Sequence, residues 1–433
     1  KTKKNLAHFF TKINYDLNFE TFVSSDLNLT INKVNNDSYL KIFENHITNS
    51  QVKPDDLNVL NNSIKLNLNH EKYDFNTGFE IYEKLDVKKS DRFQYILPYY
   101  DFDKIISDDF FKGTLDLNSS GYNDLNNTNV LESTITNNLN YKSKDFITNL
   151  GFKNNLNIYT KNFNSVGRNS SKYKSTMQSE VINLYNTTIS YPLIKINDNN
   201  SSYLLPKLSF NFNPSDMKDH SSSVKKMDAE SLFNTNRLGL TDSFESGESL
   251  TLGIDFRKEN NLDDINKYFE LKVATVIRAE EEKFIPKTST LNKKNSNIFG
   301  SLDAKISKNL NFKYNFAIDN DLSTFENNNL DMNLSLNNLV TTFSFIEENG
   351  EMGDTNVFGG SLGYKIDENN FISFKTRRNR KINLTEYYDL VYEYKSDCLT
   401  AGVKYKKTYY SDRDLKPTEN LLFTITLFPL TTY

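Results

Sequence analysis

Toward the end of the chain, polar and apolar residues change places at every step. In 386–394, Tyr388, Leu390, Tyr392 and Tyr394 fall on one side and Tyr387, Asp389 and Glu393 on the other. That period of two marks a strand with one apolar face. Leu399, Ala401, Val403 and Tyr405 repeat it against Thr400, Gly402, Lys404 and Lys406. Leu421, Phe423, Ile425 and Leu427 repeat it again against Leu422, Thr424, Thr426 and Phe428. The same unit recurs from the start, at 6–16, 23–32, 64–69, 73–81, 92–100, 111–119, 131–141, 146–159, 181–191, 204–213, 250–256, 269–277, 298–306, 310–318, 330–335, 339–345, 357–366 and 371–377. Together these segments predict about twenty-one strands joined as hairpins.

The connections sort by parity. Those at 16–18, 71–72, 142–145, 307–309, 336–338, 367–370 and 395–397 are short, and those near 35–60, 160–180, 214–248, 279–296, 347–356 and 409–419 are long. Three more, at 103–110, 193–203 and 257–268, fall on the short side without being short. Short periplasmic turns opposite longer extracellular loops are the pattern of an outer-membrane barrel. A soluble sandwich or solenoid has alternating strands too, but no reason to sort its loops this way. The predicted fold class is all-β, a large antiparallel transmembrane β-barrel, with residues 1–433 forming one barrel domain.

Composition narrows the choice further. Only 37% of residues are hydrophobic, the mean hydropathy is -0.62, and no run approaches the roughly eighteen apolar residues of a membrane-spanning helix. Aromatics nevertheless reach 13%, with 25 Tyr and 32 Phe, which suits a surface that needs amphipathic rings at two interfaces. The 52 basic and 56 acidic residues give a net charge of -4 and are interspersed, so there is no basic field for nucleic acid.

Candidate chemistry is sparse. The histidines at 8, 46, 70 and 220 have no metal-ligand spacing, and none pairs with a Ser on one face as a hydrolase requires. Asp101 and Asp103 share a strand face without a nucleophile. No catalytic group, metal or cofactor is expected, and the chain is not read as an enzyme. Glu280 to Glu282 form either a divalent-cation contact or a plain acidic turn. Arg377, Arg378, Arg380 and Lys381 lie near an outward loop, where they meet phosphates or form a solvated charge run. Cys398, the one cysteine, cannot close an internal disulfide. Counting back from the end places it at a short turn on the oxidising, periplasmic side, so it has a partner outside this segment or is an idle thiol. The start, Lys1 to Lys4, precedes no apolar signal core, which fits a cytosolic protein or a segment preceded by a missing N-terminal part.

Four stretches resemble one family. Ser231 to Gly247 is similar to a loop of the LptD (OstA) lipopolysaccharide-assembly family, with matches at Leu232, Phe233, Asn236, Arg237, Gly239, Asp242 and Gly247 and departures at Ser231 and Ser243. Asn36-Asp37-Ser38-Tyr39-Leu40 resembles the family's Ser-Asp-Asp-x-Tyr-Leu, and Ile96 to Phe102 its Leu-Pro-aromatic segment. Ser396-Asp397-Cys398-Leu399 sits where the family carries one or two cysteines before its last two strands. The resemblance implies a barrel of about 26 strands in the family. A periplasmic jelly roll and about five opening strands would then be missing here. It also implies a disulfide from Cys398 to that missing domain, at most one such bridge.

By the same resemblance the substrate is lipopolysaccharide, handled together with outer-membrane lipid. The partners are a plug lipoprotein like LptE and a periplasmic bridge like LptA docked on the missing domain. An amphiphile with a sugar head and several acyl chains can cross if the lumen is polar and the first and last strands part sideways. Asp26, Asn28, Asn67, Asp116, Thr424 and Thr426 fit a wet lumen or merely solvate it. The strand with Leu421, Phe423, Ile425 and Leu427 is one lip of that gate, and Tyr433 fits the terminal aromatic targeting signal. The loop with Arg237 and Asp242 is a lid folded into the lumen, or an ordinary exposed loop. A porin or ligand-gated uptake barrel shares the strand pattern but not the four stretches, and a secreted adhesin would dissolve without detergent.

Overall fold

A computed structural model of the chain describes residues 7–43, 52–260, 267–409 and 417–427. Its strands are β1 (His8–Asp16), β2 (Ser24–Val34), β3 (Val59–His70), β4 (Tyr73–Lys84), β5 (Phe93–Phe110), β6 (Gly113–Asn126), β7 (Val130–Ser143), β8 (Phe146–Ile147), β9 (Lys153–Arg168), β10 (Gln178–Ser190), β11 (Leu193–Ile196), β12 (Asn200–Asn213), β13 (Gly247–Asn260), β14 (Tyr268–Arg278), β15 (Ile298–Ser307), β16 (Leu310–Ile318), β17 (Phe325–Leu336), β18 (Leu339–Glu348), β19 (Thr355–Lys365), β20 (Asn370–Asn379), β21 (Leu384–Lys395), β22 (Leu399–Thr408) and β23 (Thr418–Leu427). One short helix, α1 (Tyr39–Phe43), follows β2.

All 23 strands belong to one sheet, and each pairs antiparallel with its neighbours in sequence. The exceptions are β8 and β11, short strands that lie beside β9 and β12 while β7 pairs directly with β9 and β10 with β12. Setting those two aside leaves a ladder of twenty-one. Among the described residues, β1 pairs only with β2 and β23 only with β22.

Several boundaries differ from the sequence expectation, each for a local reason. The connection expected at 142–145 is the longer 144–152, because Phe146 and Ile147 fold back on Asn154 and Lys153. The one expected at 16–18 extends to residue 23. The apparent connection at 103–110 is strand. β5 runs to Phe110, and the chain reverses at Phe111 and Lys112, both at positive φ (47° and 60°). Two left-handed central residues suit a two-residue hairpin, but neither is the Asn or Gly that usually signals one. The reversal at Phe111 and Lys112 sharpens the loop sorting, while the longer connections 17–23 and 144–152 blur it.

The two faces of the ladder separate by parity. On β23, Phe423, Ile425 and Leu427 are 72%, 72% and 75% exposed, and the register continues from Phe423 through Val403 and Tyr392 to Ile372. Ile64, Leu139, Leu252 and Ile254 are likewise exposed on their strands. So much bare apolar surface is untenable in water and natural against acyl chains. The opposite face is polar and internally paired: Lys207–Asp255 at 2.8 Å, Arg257–Glu270 at 2.8 Å, Lys272–Glu270 at 3.0 Å and Lys404–Asp389 at 3.4 Å. Among the described residues no helix is long and apolar enough to cross a membrane. Strands do the crossing, and the chain is a large antiparallel transmembrane β-barrel.

Candidate functional site

The polar inner face is interrupted on β14–β16. Ala274 and Val276 share the inner face of β14 with Glu270 and Lys272. By register Ala274 opposes Phe299, and Phe299 opposes Ala317. All four are buried. What covers them is the long connection 214–246 together with 279–297. Met217, Met227, Ala229, Leu232, Leu238 and Leu240 from the first, and Ile285 and Leu291 from the second, close one apolar cluster on this patch. The patch is apolar on both faces, so water cannot hydrate its inner side, and the loops stabilise it by burial.

Polar anchors fix the loop within that cluster. The Arg237 guanidinium is fully buried. It donates to Glu245 at 2.7 and 2.5 Å, to Thr251 Oγ1 and Ser249 Oγ at 2.8 Å each, and to the Leu232 carbonyl at 3.4 Å. Ser249 and Thr251 are inner-face residues of β13, opposite Arg278 and Val276. Arg278 reaches the same Glu245 carboxylate from β14. Burial alone would raise the Glu245 pKa, but the two guanidiniums outweigh it and hold the carboxyl below its ordinary value.

A second anchor ties the loop to β9 and to the connection that follows it. Lys161, buried on the inner face of β9, donates to the carbonyls of Leu240 (3.1 Å), Thr241 (2.9 Å) and Ser243 (3.3 Å), and its ammonium sits 4.5 Å from the Phe244 ring centroid. Asp242, with no exposed surface, meets His220 Nε2 at 2.8 Å and Lys172 Nζ at 3.3 Å. Burial pushes its carboxyl up, but the His220 hydrogen bond and the Lys172 charge more than offset this, and its pKa lies at about 2.

The loop motif read from the sequence is thus brought together in one packed body. Leu232 is buried in the cluster. Phe233 lies over Gly253, where any Cβ would come within 2.7 Å of the ring, and Lys207 Nζ stands 4.2 Å from its centroid. Asn236 closes a turn by accepting from Leu240 N (3.2 Å) and donating to Leu240 O (3.0 Å). Gly239 and Gly247 have φ of 68° and 76°, conformations that side chains resist. Lys161, Glu245 and Arg278, which complete the anchors, were not singled out by sequence. Glu282 accepts from Ser246 Oγ at 2.5 Å and from the Phe284 amide at 3.1 Å. Among the described residues no group of acidic, His or Cys side chains is arranged to hold a metal ion.

The remaining expected residues lie elsewhere. Asp37, from the Asn36–Leu40 stretch, pairs with Arg92 at 2.7 Å, and Tyr39 and Leu40 are buried against Val34, Leu60 and Leu85. Cys398 is a free, exposed thiol in the turn between β21 and β22. Leu421, Phe423, Ile425 and Leu427 form the outward row of β23. Tyr433 and His46 lie outside the described residues. Arg377 pairs with Glu386 at 3.0 Å, Arg378 with Asn383, and Lys381 with Asp354.

The model of one protein family, LptD: LPS transport system D, matches residues 10–370. No curated protein matches the chain. Among solved structures, the siderophore receptor PirA from Acinetobacter baumannii is similar with 9% identity over 86% of this chain and 72% of its own, at a TM-score of 0.38. The FrpB iron transporter from Neisseria meningitidis is similar with 8% identity over 85% of this chain and 72% of its own, at a TM-score of 0.33.

Proposed function

Because the chain belongs to the LptD family of lipopolysaccharide-transport barrels of the Gram-negative outer membrane, we propose that it inserts lipopolysaccharide into the outer leaflet through its polar lumen and a lateral gate beside β23. The family match over residues 10–370 carries this reading. The family is one of transport barrels, not enzymes, and it works with other Lpt proteins. Here those are a plug lipoprotein like LptE within the barrel and a bridge like LptA on a periplasmic jelly-roll domain. Cys398 pairs with a cysteine of that domain, as the family resemblance implies, and its exposed place in a turn on the short-connection side is compatible with this.

The physical requirement is to keep sugars wet and acyl chains dry at once. The inner row of β22 and β23, Gly402, Lys404, Thr424 and Thr426, offers hydration, while the outward row of β23 offers a hydrocarbon surface one residue away. An amphiphile straddling the β23 edge satisfies both. The loop 214–246 acts as a lid, since Arg237 and Lys161 tie it to the inner wall.

Site-specific photo-crosslinking in cells tests the reading. A photoreactive residue at Thr424 and another at Phe423 should both capture lipopolysaccharide, and one on the outward face of β13, at Ile254, should not. Steady single-channel conductance with no lipopolysaccharide adduct at either site would favour a porin instead.

A further inference from the structure

The inner wall carries its charge unevenly. On β5–β7, Asp101, Asp103, Asp116, Asp124 and Glu132 share the inner face by register, with Lys142 as the one cation among them, 3.7 Å from Asp116. Around β12–β15 cations and carboxylates alternate and pair off. On β19–β22 the sign reverses. Lys365, Lys375, Arg377, Lys395, Lys404 and Lys406 stand on the inner face against Asp389 and Glu393, and Glu386 pairs with Arg377 at 3.0 Å.

The reversal is also directional. Lys365 and Lys395 lie at the turn ends of β19 and β21, and Lys375, Lys404 and Lys406 at mid-strand. Arg377 lies near the loop end of β20, so the cations form a column running the height of the wall. Lys375, Asp389 and Lys406 occupy one cross-strand row, and Lys404 reaches Asp389 at 3.4 Å. Asp389 thus sits between Lys375 and Lys404, one carboxylate to two ammonium groups. Lys365, Lys375 and Lys395 are in no ion pair among the described residues.

We propose that this basic column is a track for phosphate groups of a phosphorylated glycolipid, leading its head along β19–β22 to the β23 edge while the acidic wall of β5–β7 repels it. The proposal rests on the transport reading and deepens it by naming the recognised group. A stretch of wall lined by one sign of charge raises the local concentration of counter-charged groups, and lysines bind phosphate as point charges without requiring one fixed geometry. That suits a ligand that moves along the track rather than one that lodges.

Binding of a fluorescent phosphorylated glycolipid to the full-length protein in detergent tests this, with its enzymatically dephosphorylated counterpart measured alongside. Lys375→Glu with Lys404→Glu should weaken the phosphorylated ligand about tenfold at low salt, and the difference should shrink above about 0.5 M salt as charges are screened. The dephosphorylated ligand should bind wild type and variant alike. Asp103→Asn on the acidic wall should leave or slightly strengthen binding. Lys375→Gln, which removes the charge without reversing it, should give an intermediate loss if the reversed variant assembles poorly. Equal binding by wild type and variants, or equal loss for both ligands, overturns the track while leaving transport intact. Absence of binding to either ligand by wild type overturns both. Full competition by inorganic phosphate at matched concentration overturns the assignment to a lipid head.

Discussion

Replacing Arg237 with Met is the sharpest probe of the loop, because the side chain is fully buried and all its known partners lie in the loop and the first turn of β13. Removing it strips two charge-assisted bonds from Glu245 and leaves Ser249 and Thr251 hydroxyls unpaired inside the protein. Breaking a buried pair from one side costs about 3–5 kcal/mol, and Arg278, still on Glu245, keeps the loss toward the lower figure. The strain falls on the docked state of 214–246 and not on the strand ladder, so the docking equilibrium should shift by roughly two orders of magnitude. Hydrogen exchange read by mass spectrometry measures it. Amides of 228–245 should exchange about a hundredfold faster, with β12–β15 unchanged. Adding Glu245→Leu should not recover the protection, since it leaves the buried Arg278 guanidinium without its carboxylate. If β13 and β14 exchange as fast as the loop, Arg237 supports the barrel wall itself and the anchoring argument fails.

Lys161→Met removes the one ammonium that caps three loop carbonyls. Limited proteolysis should then cut within 238–245 while cleavage elsewhere stays constant. Gly253→Val places a side chain where the Phe233 ring rests, so an environment-sensitive probe near Phe233 should report displacement without loss of the heat-modifiable barrel mobility. Asp242 predicts an acid response. Its pKa of about 2 in the folded loop lies below the ~3.9 of an unfolded aspartate, so its contribution of roughly 2–3 kcal/mol is complete above pH ~5 and is lost as pH falls through ~2. Loop protection measured against pH should follow that curve, and Asp242→Asn should flatten it. Cys398→Ser in the full-length protein should change its non-reducing electrophoretic mobility, and identical mobility would remove the interdomain disulfide.

Strand number and facing were legible because a two-faced wall writes its partition directly into alternate residues. Turns were less so. The reversal at Phe111 and Lys112 uses left-handed residues with no Gly or Asn to announce them, and β8 forms because Phe146 and Ile147 find Asn154 and Lys153 after a long turn, a pairing that alternation cannot distinguish from continued strand. The motif residues of the loop could be placed by resemblance, but their counterparts could not. Lys161, Glu245 and Arg278 come from three separate elements, and only the fold shows that their charges converge.

The packed loop also leaves a trace in the sequence of β14. In Val273-Ala274-Thr275-Val276-Ile277 the alternation fails, because β14 is apolar on both sides where its neighbours show charge on one. A barrel strand that faces lipid and water cannot be written that way without leaving apolar surface in the lumen. The break therefore requires a cover from within, and the cover must match it in length and chemistry. The connections that flank this sector, 214–246 and 279–297, are long and carry Met217, Met227, Leu232, Leu238, Ile285 and Leu291 at the contact. Substituting Val276 with Thr or Asn tests that logic from the wall side. If the patch is what draws the loops inward, the loop should undock while the barrel remains assembled. If the loop stays docked, its polar anchors at Arg237 and Lys161 suffice alone, and the apolar break in β14 is a consequence of the lid rather than its cause.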